Sequence, residues 1–401
     1  MYRHQPHYPH NQGITGIIKD WREAKLSSAL DFLYANRILQ DLAGGLLGIF
    51  LPILLYKAFN CSLYKTGLFY LAGWGIWFFV APLGAKVMSR IGMKRSLIIS
   101  VLVGWSWYFL ANKFLQDSSL VWLGLMIVAI TVERMFYWIP YHTDFAKFTN
   151  KKMRGRQMTF LYSLSALLHI FLPFISGEIL TYYGFGILFS AALVVYLLSV
   201  IPLFFIPDIR ETYSFSYLQT YRELFRRIHR RLLFSYGADG MQNVVGMVVW
   251  PLFIWLLLDK NYQVVGLISS FIIFANVILT LLMGDFVDKL DKRRLLRWGS
   301  VFNSLGWIFK MFVGTGFQVF IASTYHGFAN IVMRTPYEVM MYEKAADSGH
   351  YIDEYTVLRE LSLTLGRVLM VGVLFLVFFL TGSLVYPFLV AALAALVVSV
   401  V

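Results

Sequence analysis

Arg134 and Arg367 each stand deep inside an apolar run, and they are the first places to look for chemistry in this chain. A charge in hydrocarbon costs on the order of 2.5–3.5 kcal/mol on insertion scales, so such residues face a protein interior or a wet cavity. A guanidinium offers a planar fork of donors that matches carboxylate or phosphate. Either the two arginines take an anionic or strongly polar solute, or each is neutralised by a carboxylate and ties helices together. Glu360, about two helical turns before Arg367, and Tyr137, next to Arg134, join them as candidate binding residues. Asp41 and Asp239 form a second class. A carboxylate whose proton affinity is raised by burial can carry a proton through a cycle. Glu133 is a third such group, although it points about 100° around the helix from Arg134. The alternative for the two aspartates is a gate or a helix-end contact. His169 either titrates near neutral pH or sits hydrogen-bonded in the interior. Lys310 and Arg334 are read as pairing or as reaching toward an interface.

Such residues must be held by elements long enough to bury them. The chain has 401 residues, of which 58% are hydrophobic and 14% charged, against about a quarter charged in a soluble domain. The apolar residues fall in runs of roughly 20, the length that crosses about 30 Å of hydrocarbon as helix. Twelve spans are expected, near 36–59, 66–88, 96–114, 120–142, 158–179 and 186–206, then 233–258, 264–287, 296–314, 317–342, 355–380 and 383–401. The domains follow: an N-terminal segment 1–35, a first six-helix bundle 36–207, a linker 208–232 and a second bundle 233–401. The linker holds Arg222, Arg226, Arg227, Arg230 and Arg231, which suits a partly helical segment against anionic headgroups. Before the first span, Ile14, Ile17, Ile18 and Trp21 lie near helical spacing among charges and suit a surface-lying helix. His4, His7 and His10 belong either to a disordered tail or to a metal-binding one.

Most Lys and Arg lie in the connections after even-numbered spans, so both termini are expected in the cytoplasm of a multi-pass cell-membrane protein. The same clustering accounts for the net charge of +13, and no nucleic-acid recognition module accompanies it. One cysteine, Cys61, excludes an internal disulfide framework and a cysteine-based metal site. No metal or cofactor is expected.

The two halves repeat. Asp41 and Gly48 recur as Asp239 and Gly246, Pro52 as Pro251, Gly67 as Gly266, Pro140-Tyr141 as Pro336-Tyr337 and Leu164-Ser165 as Leu361-Ser362, at offsets of 196–199. A basic turn repeats with them. GDFVDKLDKRR at Gly284–Arg294 matches AKVMSRIGMKR at Ala85–Arg95, so that Lys289, Arg293 and Arg294 stand where Arg90, Lys94 and Arg95 stand. These turns resemble the loop between the second and third helices, repeated between the eighth and ninth, of the major facilitator superfamily. The second copy keeps Gly284, the acid Asp288 and the bases, with Asp291 where the family prefers Gly. The first keeps Arg90, Gly92, Lys94 and Arg95, but has Ala85 for the opening Gly and Ser89 for the acid. The resemblance implies an all-α membrane fold of twelve transmembrane helices in two six-helix bundles. It implies that these residues form cytoplasmic gates. Two further patterns, the Arg-x-x-x-Gly and Gly-Pro runs of antiporters, are broken at Trp138 and Leu172-Pro173, so antiport is not supported.

A secondary transporter moving a small, anionic solute by alternating access, coupled to a proton or other ion gradient, is therefore expected. It would act as a monomer, with the solute and membrane lipid as partners. The alternative on the same fold is a non-transporting sensor or lipid-handling protein. A membrane-embedded enzyme is not expected: no His-Glu metal pair, Gly-rich phosphate loop or Ser-His-Asp spacing occurs within the spans.

Overall fold

Hydrocarbon offers no partner to a peptide group, so an apolar run of spanning length satisfies its backbone only by coiling into helix. The structure, a computed structural model, describes residues 28–148, 164–208, 213–287, 291–347 and 352–400, and among these it is all helical. In chain order the helices are α1 (Ser28–Leu47), α2 (Phe50–Ala58), α3 (Leu63–Ile91), α4 (Met93–Asp117), α5 (Leu120–Phe148), α6 (Leu164–Tyr182) and α7 (Gly184–Leu203). A short helix α8 (Tyr217–Leu224) follows in the linker. Then come α9 (Arg227–Leu257), α10 (Tyr262–Val287), α11 (Lys292–Lys310), α12 (Gly316–Asp347), α13 (Ile352–Thr381) and α14 (Tyr386–Val398).

Among the described residues eight of these helices are long and apolar enough to cross a membrane, and nine if α1 and α2 count as one bent span. Helix also lies over each remaining stretch expected to span. These stretches miss the measure for visible reasons. α11 opens on Lys292, Arg293, Arg294 and Arg297, α12 mixes Gln318, His326 and Asn330 into its uncharged first half, and α14 has 13 residues.

The first helix of each half is distorted at the same place and for the same reason. α1 and α2 meet at a 46° bend before Pro52, and α9 passes through a π-helical turn, Val245–Val249, before Pro251. A proline lacks the N–H that the carbonyl four residues earlier would accept, and a wider turn or a break absorbs the loss.

The halves meet along two helix pairs, α3 with α13 and α6 with α10. At the end carrying the α2–α3 and α9–α10 connections, the seam is tight. Lys57 Nζ donates to the Tyr262 hydroxyl at 2.9 Å, and Gln263 Nε2 lies 3.2 Å from both carboxylate oxygens of Glu178. Gly177 and Gly266 let the α6 and α10 backbones touch: a Cβ on Gly177 would lie 2.6 Å from the Tyr262 carbonyl oxygen.

The linker helix docks on both halves. The backbone N–H of Ser214, just before the helix, donates to Glu354 of α13 at 2.9 Å, and the Tyr221 hydroxyl of the helix donates to the Phe78 carbonyl of α3 at 2.9 Å. Phe78 lies four residues before Pro82, so its carbonyl is the one the proline leaves without an intrahelical donor. α9 begins at Arg227, so the last residues of the expected linker already belong to the seventh helix.

Candidate functional site

Arg37, Gln40 and Asp41 lie on one face of α1, because positions three and four apart are neighbours on a helix. Arg37 Nε pairs with Asp41 Oδ1 at 3.0 Å. Asp41 Oδ2 accepts from Ser165 Oγ of α6 at 3.1 Å, and His169 Nδ1 sits 2.7 Å from the Ser165 carbonyl oxygen. His169 is thus hydrogen-bonded within α6. The Arg37 guanidinium also lies 5.1 Å from the Trp138 ring centroid and 5.4 Å from that of Tyr141, within cation–π range on α5.

α5 supplies the facing wall. Tyr137 is buried and stacks on Tyr141 with ring centroids 5.4 Å apart. Glu133 Oε1 accepts from the Tyr196 hydroxyl of α7 at 3.2 Å. Arg134, one position on, makes no hydrogen bond or ion pair among the described residues. Glu133 and Glu360 lie within its electrostatic reach. α3 adds Tyr70 and Trp74, whose rings tilt against each other at 5.2 Å. Together these side chains line a half-open cavity of about 330 Å³.

Of the residues singled out from sequence, Asp41, Glu133, Arg134 and Tyr137 line this one cavity. Arg367 and Glu360 do not. The Arg367 guanidinium lies 6.0 Å from the centroid of Trp74, a wall residue, and its Nε is buried without a hydrogen-bond partner. Glu360, 7% exposed, lies 3.5 Å from Arg359 Nη1 and within electrostatic reach of both Arg134 and Arg367. The second half therefore approaches the cavity wall without lining it.

Asp239 sits apart from the cavity. Its Oδ1 accepts from Arg334 Nη2 at 2.8 Å and from Asn243 Nδ2 at 3.3 Å. Arg334 thus pairs. Lys310 is buried between two rings, its Nζ 4.4 Å from the Trp250 centroid and 4.5 Å from that of Trp307. The repeat places Asn330 where the first half has Arg134, and Asn330 accepts from Asn303 at 3.4 Å. The halves share a frame but not a charge pattern.

At the first basic turn, Gly92 joins α3 to α4 at φ +90°, a conformation that favours glycine. Asp208, just past α7, packs against it and pairs with Arg95 at 3.8 Å, while Lys94 Nζ donates to the Phe204 carbonyl at 2.7 Å. Ser89 turns back to the Lys86 carbonyl at 2.8 Å, and Arg90 is exposed. An acid thus meets the basic turn from the segment that follows α7. At the second turn, Asp288 and Lys289 lie outside the described residues, as does the side-chain environment of Gly284. Arg293 is exposed in the first turn of α11, and Asp291 caps that helix by accepting from Arg294 N at 2.8 Å. The basic residues Lys151, Lys152, Arg154 and Arg156 and the histidines His4, His7 and His10 also lie outside the described residues.

Sequence reading missed Arg37, Gln40, Trp74, Tyr196 and Asp208. The Arg37–Asp41 spacing of four was a usable signal. Trp74 and Tyr196 had none, being two aromatics among 70 in the chain.

No family model matches the chain. Over 317 residues it is 22% identical to the uncharacterized protein YqgE of Bacillus subtilis (strain 168), an alignment covering 73% of this chain and 69% of that one.

Proposed function

We propose that this chain is a secondary transporter of the major facilitator type, with twelve transmembrane helices in two six-helix halves. It moves a small solute bearing an anionic group by alternating access, driven by a proton or other ion gradient. The observation that carries the reading is the cavity at mid-chain depth of α5, where Arg134 stands on the wall with no hydrogen-bond partner among the described residues. A lone guanidinium in an apolar span is stabilised when an anion or water can reach it. The tight seam between Gly177, Tyr262 and Gly266 at one end supports alternating access: the halves are closed together there. Asp41 and Glu133 place two protonatable groups on the same wall, which supports coupling to protons.

The test is uptake into proteoliposomes across a panel of anionic and neutral metabolites, with and without an imposed pH gradient. At least one anionic solute should accumulate, and Arg134→Gln should abolish its uptake while the protein remains monodisperse in detergent. Uptake of neutral solutes alone, or unchanged uptake in Arg134→Gln, overturns the reading.

A further inference from the structure

The hydrogen-bond inventory of the wall leaves two donors without an acceptor. Asp41 is engaged by Arg37 and Ser165, and one oxygen of Glu133 by Tyr196. Of the two bases, Arg37 is engaged by Asp41 and two rings. Arg134 has no hydrogen-bond partner among the described residues, and Gln40, 8% exposed, holds its Nε2 buried without one. An unfilled buried donor costs about 1–3 kcal/mol, more when charged, so the site is stabilised by an acceptor. A carboxylate only accepts, so one such group would meet both donors.

The rest of the wall is dominated by rings. Tyr70, Trp74, Trp107 and Trp138 come from three helices and turn faces and edges toward the same space. The cavity measures about 330 Å³. It lies at the small end of the roughly 300–1,000 Å³ usual for small-molecule sites. That is space for one or two fused rings and a short acidic arm. Flat rings pack on aromatic walls by offset or edge contacts worth about 0.5–1.5 kcal/mol beyond area burial.

We propose that the cavity takes a small aromatic carboxylate, its carboxylate on the Arg134 guanidinium and Gln40 Nε2 and its ring between Tyr70, Trp74 and Trp138. The proposal rests on the transport reading of the same cavity and narrows its solute class.

Binding is read on the purified full chain by quenching of tryptophan fluorescence, and transport by uptake into proteoliposomes. Benzoate, 1-naphthoate, hexanoate and benzamide are the probes. Benzoate or 1-naphthoate should bind at least tenfold tighter than hexanoate, and benzamide should bind at least tenfold more weakly than benzoate. Arg134→Lys keeps the charge and loses the fork, and should weaken benzoate binding tenfold or more. Trp74→Leu should narrow the gap between benzoate and hexanoate. Gln40→Leu, which leaves every charge in place, should weaken benzoate severalfold. If Arg134→Lys does not fold, the Trp74 and Gln40 variants decide the matter alone. Equal binding and uptake of benzoate and hexanoate overturns the aromatic class and leaves the anion transporter standing. Benzamide binding as well as benzoate overturns both. Failure of the two aromatic acids to bind overturns the proposal, while uptake of another anion would still uphold the transporter.

Discussion

At the scale of single residues, the matched aspartates have separate lives. Asp41 pairs within its own helix and faces the cavity, whereas Asp239 pairs across helices with Arg334 and is 4% exposed. Breaking a buried pair from one side strands a charge, which costs about 3–5 kcal/mol, whereas removing both partners is often close to neutral. Arg334→Met should therefore destabilise the detergent-solubilised protein by roughly 3 kcal/mol, toward the low end because Arg334 keeps some solvent contact. Asp239→Asn combined with Arg334→Met should recover most of the loss in thermal or denaturant unfolding. A double variant as unstable as the single one would show that the pair is not the origin. That Arg134, Asp41 and Asp239 stand as charges within helices was legible, because a charge inside an apolar run is conspicuous in one dimension. Their partners were not legible. Which cation meets Asp239 depends on how α9 and α12 lie together, and nothing in the chain over that separation of 95 positions records it.

At the scale of helices, the positions of the helices could be read from apolar run length, while polar first turns carried α1 back to Ser28 and α9 back to Arg227, ahead of the expected 36 and 233. The bends could be read in part, since Pro52 and Pro251 recur in register and each sits just past a distortion. The linker helix was legible only as a basic, partly helical stretch. Its docking depends on hydroxyls meeting carbonyls that Pro82 frees on another helix, a relation between distant segments. Tyr221→Phe removes the donor to Phe78 and should cost about 1 kcal/mol. It should also speed tryptic cleavage at Arg222, Arg226 and Arg227 in the folded protein. Pro82→Ala restores an N–H to α3, so the Tyr221 effect should shrink in that background. An undiminished effect would mean that the tyrosine acts through packing rather than through the carbonyl.

At the scale of the whole molecule, the repeat gave two copies of one frame, and the frame is visible in the paired helices and paired distortions. The loss of symmetry could not be read as function from the repeat alone: Arg134 and Asn330 occupy equivalent places, but Arg134 lines the cavity and Asn330 accepts from Asn303. Sidedness is open to a direct measurement on the native chain. Cys61 is its only cysteine and is exposed in the connection between α2 and α3. With both termini in the cytoplasm that connection faces outward, so a membrane-impermeant maleimide should label Cys61 on intact cells. Reporter fusions after Ser119 and Arg231 should read outside and inside. Labelling of Cys61 only after permeabilisation would invert the arrangement.

The acid beside the first basic turn has a consequence for how such chains are sorted by pattern. A motif is a statement about positions along a string, while the turn needs only a negative charge at a point in space. Here Asp208 brings it from 119 residues further along the chain than Ser89. A scan that scores Ser89 alone would not register the acid that stands beside the turn in space. The relation is open to transplantation. On the transport reading proposed above, Asp208→Ser should impair uptake, and Ser89→Asp added to it should restore uptake by returning a negative charge to the turn. Failure of that rescue would mean that Asp208 matters as a linker anchor and not as the relocated acid.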